Sequence, residues 1–303
     1  MGLHAACTVC ENLNQMQQLR TRLGLLLSCL SIFGCGSGEV GEGPVEGEVV
    51  TVDEDSVSVR LHATGFWKPK VPVVSFALAS TGDSYWLESG LPIRAELSED
   101  GLASVWPARP ADQERLARLN KILRRDTVSR GQSAFREVGE SLPEFALYDQ
   151  DGRLFTRDSL KGQWSVLHFV FTRCAVPEMC PASMRKMASL LVSLQQRGGR
   201  GPLLLTITLD PLHDSPGVLN EFARGYGMDD PQARFLTGPL QVVQDLKKQL
   251  GILSKPDDAL VIKHTMRTIL VSPELEIVHH VPHQSWSVED FLEKLPSLAK
   301  VGP

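Results

Sequence analysis

The sequence predicts an α/β protein in which a three-layer domain follows a small all-β barrel. Two patterns support this: β-branched, alternating segments fill residues 46–106, and strand-like and helix-like segments alternate after residue 138. A length of 303 residues leaves room for about two domains and a targeting segment. The hydrophobic content of 42% and the charged content of 22% are typical of a globular protein.

Residues 1–35 are predicted to be a signal or lipoprotein segment. Two arginines precede the apolar run 23–34, which is too short to span a bilayer but has the length of a signal-peptide core. The run ends at Cys35, and residues 36–45 read as a flexible linker. This arrangement resembles a bacterial lipoprotein signal, so we expect lipidation at Cys35 and a membrane-anchored protein in the periplasm or another extracytoplasmic space. The alternative is a plain secretory signal with an incidental Cys35.

Residues 46–106 are predicted to form the barrel, and residues 107–137 a helical connector. The acidic stretch 53–55 separates two β-branched runs as a turn would. Within 111–125, three leucines recur at helical spacing among basic residues. The predicted strands of the barrel include residues 48–52, 56–61, 71–78 and 85–97.

From residue 138 to residue 303 the elements follow the order β-α-β-α-α-β-β-α, which fits a three-layer thioredoxin-like fold. Ser287 and Asp290 have the spacing of a capping box that opens the last helix. The main predicted elements are strands at 164–171, 203–209, 265–271 and 276–281 and helices at 181–196, 215–226 and 241–250.

The sharpest chemical signal is the pair Cys174 and Cys180, the only two of six cysteines that fall in a predicted folded domain. They lie between a buried strand and the start of a helix at Pro181. The partial positive charge of a helix N-terminus is expected to lower the pKa of the Cys180 thiol, and a thiolate binds soft metals and exchanges disulfides. The alternative is a disulfide that only staples the loop, worth about 2 kcal/mol for so short a loop.

Six short segments between residues 138 and 300 carry a resemblance to a known family. They are GESLPEF at 139–145, FTRC at 171–174, CP at 180–181, LDPLHDSP at 209–216, FLTG at 235–238 and IKHT at 262–265. Through them the chain resembles the SCO/SenC family, a thioredoxin-like family of copper chaperones for cytochrome oxidase assembly. In that family two cysteines and a distant histidine bind copper, so the resemblance implies a Cu(I) or Cu(II) site at Cys174, Cys180 and His264. The family usually has three residues between its cysteines, whereas this chain has five.

The sequence also contains other polar residues near the predicted site, and more than one role is open for Asp210. Asp210 follows a strand, where it either orients His264 or accepts a hydrogen bond just outside the ligand set, or else serves as an ordinary loop or cap carboxylate. Asp214 is expected in the turn that precedes the next helix. His279 and His280 are adjacent on a strand, so their side chains point to opposite faces and are not expected to share a metal site.

Within residues 46–76, His62 is followed ten and twelve residues later by Pro72 and Val74. This segment resembles the CusF-like copper-binding barrels that are sometimes joined to domains of this family, in which a histidine is followed at those two positions by methionines. Since no soft ligand remains beyond His62, we expect a degenerate barrel with a structural or docking role.

The resemblance implies a metallochaperone that delivers copper to a respiratory oxidase subunit or another copper protein. A thiol-disulfide reductase acting on a metalloprotein, and a non-catalytic copper store or sensor, are the alternatives, so enzyme status stays open. Reductases of this fold typically carry CxxC and a cis-proline, but here Lys263 and His264 precede the facing strand, which favours a ligand. The net charge of −5 and the lack of a basic run make nucleic acid an unexpected partner.

Overall fold

The computed structural model describes six stretches of the chain. Its residues fall in the ranges 42–62, 73–131, 135–198, 201–256, 262–283 and 285–295. The predicted signal segment, including Cys35, lies outside the described residues, as do the side chains of 254–256 and 262–264. Among the helices that are described, none combines the length and the apolar composition needed to cross a bilayer.

The N-terminal part is a five-stranded antiparallel sheet with the strand order β3-β2-β1-β4-β5. Alternate side chains of each strand are buried, as a sheet with one covered face requires. The β1–β2 hairpin turns at the predicted acidic stretch, where the Asp53 amide donates to the Ser56 carbonyl over 2.8 Å. The strands are β1 (Gly43–Val52), β2 (Ser56–Leu61), β3 (Val73–Ala77), β4 (Pro92–Ser98) and β5 (Gly101–Pro107).

The prediction of a barrel is not confirmed, because this sheet does not close within the described residues. Between its edge strands β3 and β5, the strand pairing is limited to one bridge, which joins Leu78, just after β3, to Leu102. Immediately after that bridge the chain enters a 3-10 turn, Thr81–Tyr85, which leads it away toward the second sheet. This turn also occupies the start of the strand predicted at 85–97, so β4 begins seven residues later than predicted.

The connector helix α1 (Pro110–Arg130) extends five residues beyond the predicted helix end at 125. Its last turns are fixed by packing rather than by local sequence. Thr127 is buried, donates to the Leu123 carbonyl over 2.8 Å and accepts from Gln249 Nε2 over 2.8 Å. The helix therefore covers most of the helical connector predicted at 107–137.

The second part confirms the predicted α/β class and the thioredoxin-like fold. Its seven-stranded mixed sheet has the order β14-β13-β8-β9-β10-β6-β7, in which β8, β9 and β10 are parallel. Every residue of β8 and β9 is buried, which identifies this pair as the centre of the sheet. The strands are β6 (Ala146–Asp149), β7 (Leu154–Thr156), β8 (Ser165–Val170), β9 (Leu203–Thr208), β10 (Ala233–Thr237), β11 (Ser254–Pro256), β12 (Ile262–His264), β13 (Arg267–Val271) and β14 (Ile277–Pro282), of which β11 and β12 form a separate antiparallel pair.

Four further helices belong to this part. Helix α2 presents Met184, Met187 and Leu191 to the core, as its apolar spacing predicts. Helix α5 opens with the predicted capping box, in which the Ser287 hydroxyl accepts from the Asp290 amide. The helices are α2 (Cys180–Arg197), α3 (Pro216–Gly225), α4 (Leu240–Gln249) and α5 (Val288–Lys294).

The two sheets belong to one compact unit and meet where the 3-10 turn Thr81–Tyr85 packs against α3. Glu221 on α3 accepts from the Gly82 amide over 2.9 Å. Asp83 is fully buried and accepts from the Gly217 amide in the first turn of α3. The N-terminal sheet therefore supplies carboxylate and amide partners to the helix that follows the candidate site.

Candidate metal centre

The two cysteines come together in the loop that joins β8 to α2. Cys174 is half-buried and its amide donates to the Phe171 carbonyl over 3.3 Å, which turns the chain at the end of β8. Cys180 is buried and is the first residue of α2, with Pro181 in the first helical turn where it suits the helix. Both residues are thiols, and their side chains are in hydrogen-bonding contact.

The expectation of a lowered pKa for the Cys180 thiol is wrong for the metal-free protein. Burial raises the pKa of Cys180, and the neighbouring Cys174 sulfur raises it further. Hydrogen bonding at the Phe171 backbone and at its own backbone opposes the shift but is outweighed. The loss of hydration in the core thus exceeds the effect of the helix N-terminus.

Two carboxylates from the β9–α3 loop hold the residues that precede Cys174. Asp214 Oδ1 accepts from the Thr172 hydroxyl over 2.5 Å, and Asp214 Oδ2 accepts from the Thr172 amide over 3.2 Å. Asp210 Oδ2 pairs with Arg173 Nη2 over 2.5 Å. The two residues that lead into Cys174 are therefore both fastened to one neighbouring loop.

The two aspartates have different surroundings. Asp210 lies at a strand end as predicted and pairs with Arg173, and its expected role toward His264 stays a prediction because that side chain lies outside the described residues. Asp214, expected only in a turn, is fully buried and also accepts from the Thr208 hydroxyl, and burial raises its pKa. The signal that could have identified it is the second aspartate in LDPLHDSP, placed directly after a buried strand.

His264 ends strand β12, and its backbone pairs with that of Ser254. Its side chain lies outside the described residues. Among the side chains that are described, no group of three or more His, Cys, Asp and Glu residues is arranged to hold a metal ion. The structure thus brings the two cysteines together, and ligation by His264 stays a prediction.

Two other polar groups in this part of the fold were not predicted from the sequence. His168 on β8 is buried, with Nδ1 2.8 Å from the Ser183 hydroxyl and Nε2 2.8 Å from the Thr206 hydroxyl. Burial lowers the pKa of His168 to about 3, so the imidazole is neutral and joins α2 to β9. Tyr226, after α3, lies close enough to both cysteines for their charges to act on its hydroxyl, and burial raises its pKa.

The second histidine cluster is divided, as the strand alternation predicts. His279 packs edge-on against Phe291, with 5.9 Å between the ring centroids. His280 Nε2 lies 3.3 Å from Glu137 Oε2. The two rings have different surroundings and do not form one site.

Comparison with known proteins gives a consistent result. A family model described as SCO1/SenC matches residues 134–300. A Stutzerimonas stutzeri protein named "Putative copper-binding protein" is 31% identical over 147 residues, which are 46% of this chain and 69% of that protein. A mitochondrial SCO2 homolog of Bos taurus is 25% identical over 180 residues, which are 57% of this chain and 62% of that protein. Among solved structures, copper-bound yeast Sco1 is similar with 29% identity and a TM-score of 0.43, covering 51% of this chain and 88% of that one.

Proposed function

The chain belongs to the SCO1/SenC family, and on this basis we propose that it binds copper through Cys174 and Cys180 and delivers it for assembly of a respiratory oxidase copper site. The observation that carries the proposal is the contact between the two thiols at the end of β8. Thiolate sulfur is the ligand type that favours Cu(I), and a neutral imidazole is an acceptable third ligand. His264 is proposed as that third ligand because its position matches the family's histidine.

Copper binding at this site is coupled to the loss of a proton from Cys180. Burial raises the pKa of Cys180, so the metal-free thiol is protonated at neutral pH. Copper binding must therefore displace a proton from Cys180, and affinity should fall as the pH is lowered.

A competition titration of the full-length chain with a chromophoric Cu(I) chelator tests the proposal. The wild type should bind one equivalent, and Cys174→Ser or Cys180→Ser should bind at least a hundredfold more weakly. His62→Ala is the matched control, because His62 is exposed directly after β2 and the variant should leave the titration unchanged. Stoichiometric binding by the double serine variant would exclude this site.

A second candidate function is thiol-disulfide reduction of a metalloprotein partner. Cys174 is half-buried while Cys180 is buried, which is the arrangement of an attacking thiol and a resolving thiol. Reduction by such a pair would not require His264. Turnover of a model disulfide by His264→Ala at the wild-type rate, together with loss of copper transfer, would identify the two functions separately.

We also propose that lipidation of Cys35 anchors the protein on the extracytoplasmic side of a membrane. The support is the basic and apolar stretch that ends at Cys35. Mass spectrometry of detergent-extracted protein should find a diacylglyceryl adduct on a chain that starts at Cys35. An unmodified chain in the soluble fraction would exclude the anchor.

A further inference from the structure

The loop between the cysteines is long for a site that must keep two sulfurs in contact. Five residues separate Cys174 from Cys180, two more than is usual in the family. Each additional free residue adds conformations, at a cost of about 1–2 kcal/mol per residue to restrict. Cys180 is fixed by helix α2, so the position of Cys174 depends on what holds the other end of the loop.

That end is held chiefly by Asp214. Its two oxygens accept three hydrogen bonds, two from Thr172 and one from the Thr208 hydroxyl at the end of β9. The carboxylate is fully buried, so these bonds are shielded from water and from salt. In contrast, the pair between Arg173 and Asp210 has 45% of the arginine side chain exposed, and exposed ion pairs contribute little.

We propose that Asp214 is a positioning residue for the thiol site: by fastening Thr172 to the end of β9, it sets the place of Cys174 relative to Cys180. This rests on the proposed function only for its effect on copper, because the contact between the two thiols can be measured without metal. Asp214 acts through Thr172. Substitution of Asp214 should therefore change the effective concentration of the Cys174 thiol at the Cys180 thiol.

The test equilibrates the full-length chain with glutathione. Cys174 and Cys180 give two electrons and two protons to glutathione disulfide, which becomes two glutathione thiols as the protein disulfide forms. Asp214→Ala should lower the effective concentration of the thiols at least tenfold, a potential about 30 mV less negative. Asp214→Asn keeps an acceptor oxygen and should stay within about threefold of the wild type. The same order should hold for Cu(I) affinity.

Matched variants separate positioning from general loss of stability. Asp245 is another buried carboxylate, paired with Arg124 on α1, so Asp245→Ala should lower the melting temperature and leave the thiol equilibrium unchanged. If Asp214→Ala does not fold, Thr172→Val removes one of the three hydrogen bonds with little change of shape and should give a smaller shift in the same direction, with Thr172→Ser as its control.

The outcomes are distinct. A folded Asp214→Ala, or Thr172→Val in its place, with a wild-type thiol equilibrium would overturn the proposal, as would an equal shift in Asp245→Ala. If the wild type binds no Cu(I) but Asp214→Ala shifts the thiol equilibrium, the proposed function fails and the positioning role stands. If the wild type binds Cu(I) and Asp214→Ala changes neither measurement, the positioning role fails alone.

Discussion

Asp83 in the N-terminal part and Gly217 in the first turn of α3 are packed so closely that Gly217 has no room for a side chain. A Cβ added to Gly217 would overlap the Asp83 carboxylate and crowd the Asp83 amide. The Gly217 amide donates to that carboxylate, so the close approach also provides a hydrogen bond. The junction between the two sheets therefore depends on a glycine in the helix that follows Asp214.

Gly217→Ala should destabilise the protein by about 1–3 kcal/mol, because the added methyl group must push apart two buried backbone segments. Gly225 on the same helix is the matched control, since a Cβ there would meet nothing within 4 Å. Gly225→Ala should be neutral or stabilising, because alanine loses less conformational freedom in a helix than glycine. Urea unfolding followed by circular dichroism measures both, and equal effects at the two positions would contradict the packing explanation.

The contribution of Asp83 to the stability of the protein should fall as the pH rises from about 4 to about 7. Burial raises the pKa of Asp83 from 3.8 to about 7, the nearby Glu221 adds to the shift, and hydrogen bonds from Trp86 and Gly217 oppose it. The folded state thus keeps a proton that the unfolded state loses, so stability present below pH 4 is lost through pH 7. At 1.36 kcal/mol for each pKa unit, the loss is about 4 kcal/mol.

Asp83→Asn should remove this pH dependence and be more stable than the wild type at pH 8. Asp100→Asn is the control, because Asp100 is an exposed carboxylate in the β4–β5 turn. Unfolding free energies at pH 5 and pH 8 give the slope for each variant. A wild-type slope in Asp83→Asn would assign the dependence to another group.

His168→Ala should cost roughly 2–4 kcal/mol, since it leaves a cavity and removes the partner of two buried hydroxyls. His213→Ala is the control, because His213 is exposed and should stay within about 0.5 kcal/mol of the wild type. The pKa of His168, lowered to about 3, also means that its contribution is complete above its ordinary value of 6.5 and is lost as the pH falls toward 3. The variant should show a flatter acid-unfolding curve.

The elements that depend on a pattern of neighbouring residues were predicted correctly from the sequence. The buried strand β8, the apolar face of α2 and the capping box at Ser287 follow from spacing within about 18 residues, and all three are present. The sequence also predicted that the two cysteines lie between a buried strand and the start of a helix, and the structure places them there.

The features that the sequence did not predict depend on contacts between residues that are far apart in the chain. Asp214 meets Thr172 across 42 positions, and His168 meets Thr206 across 38, so no local pattern reports either pair. The open N-terminal sheet is a miss of the same kind, because closure depends on how β3 and β5 diverge after Leu78. The raised pKa of Cys180 reflects burial by the whole core, which outweighs the local helix terminus.

The last prediction separates copper delivery from thiol reduction in the cell. A chaperone needs both thiols and the third ligand, so His264→Ala and Cys174→Ser should each lower respiratory oxidase activity, and added copper should restore part of it in the histidine variant. His283→Ala is the matched control, because His283 lies in the exposed turn after β14. A reductase needs the thiols alone. Full oxidase activity in His264→Ala, combined with loss of activity in Cys174→Ser, would favour thiol reduction over copper delivery. It would mean that the thiols act without a bound metal.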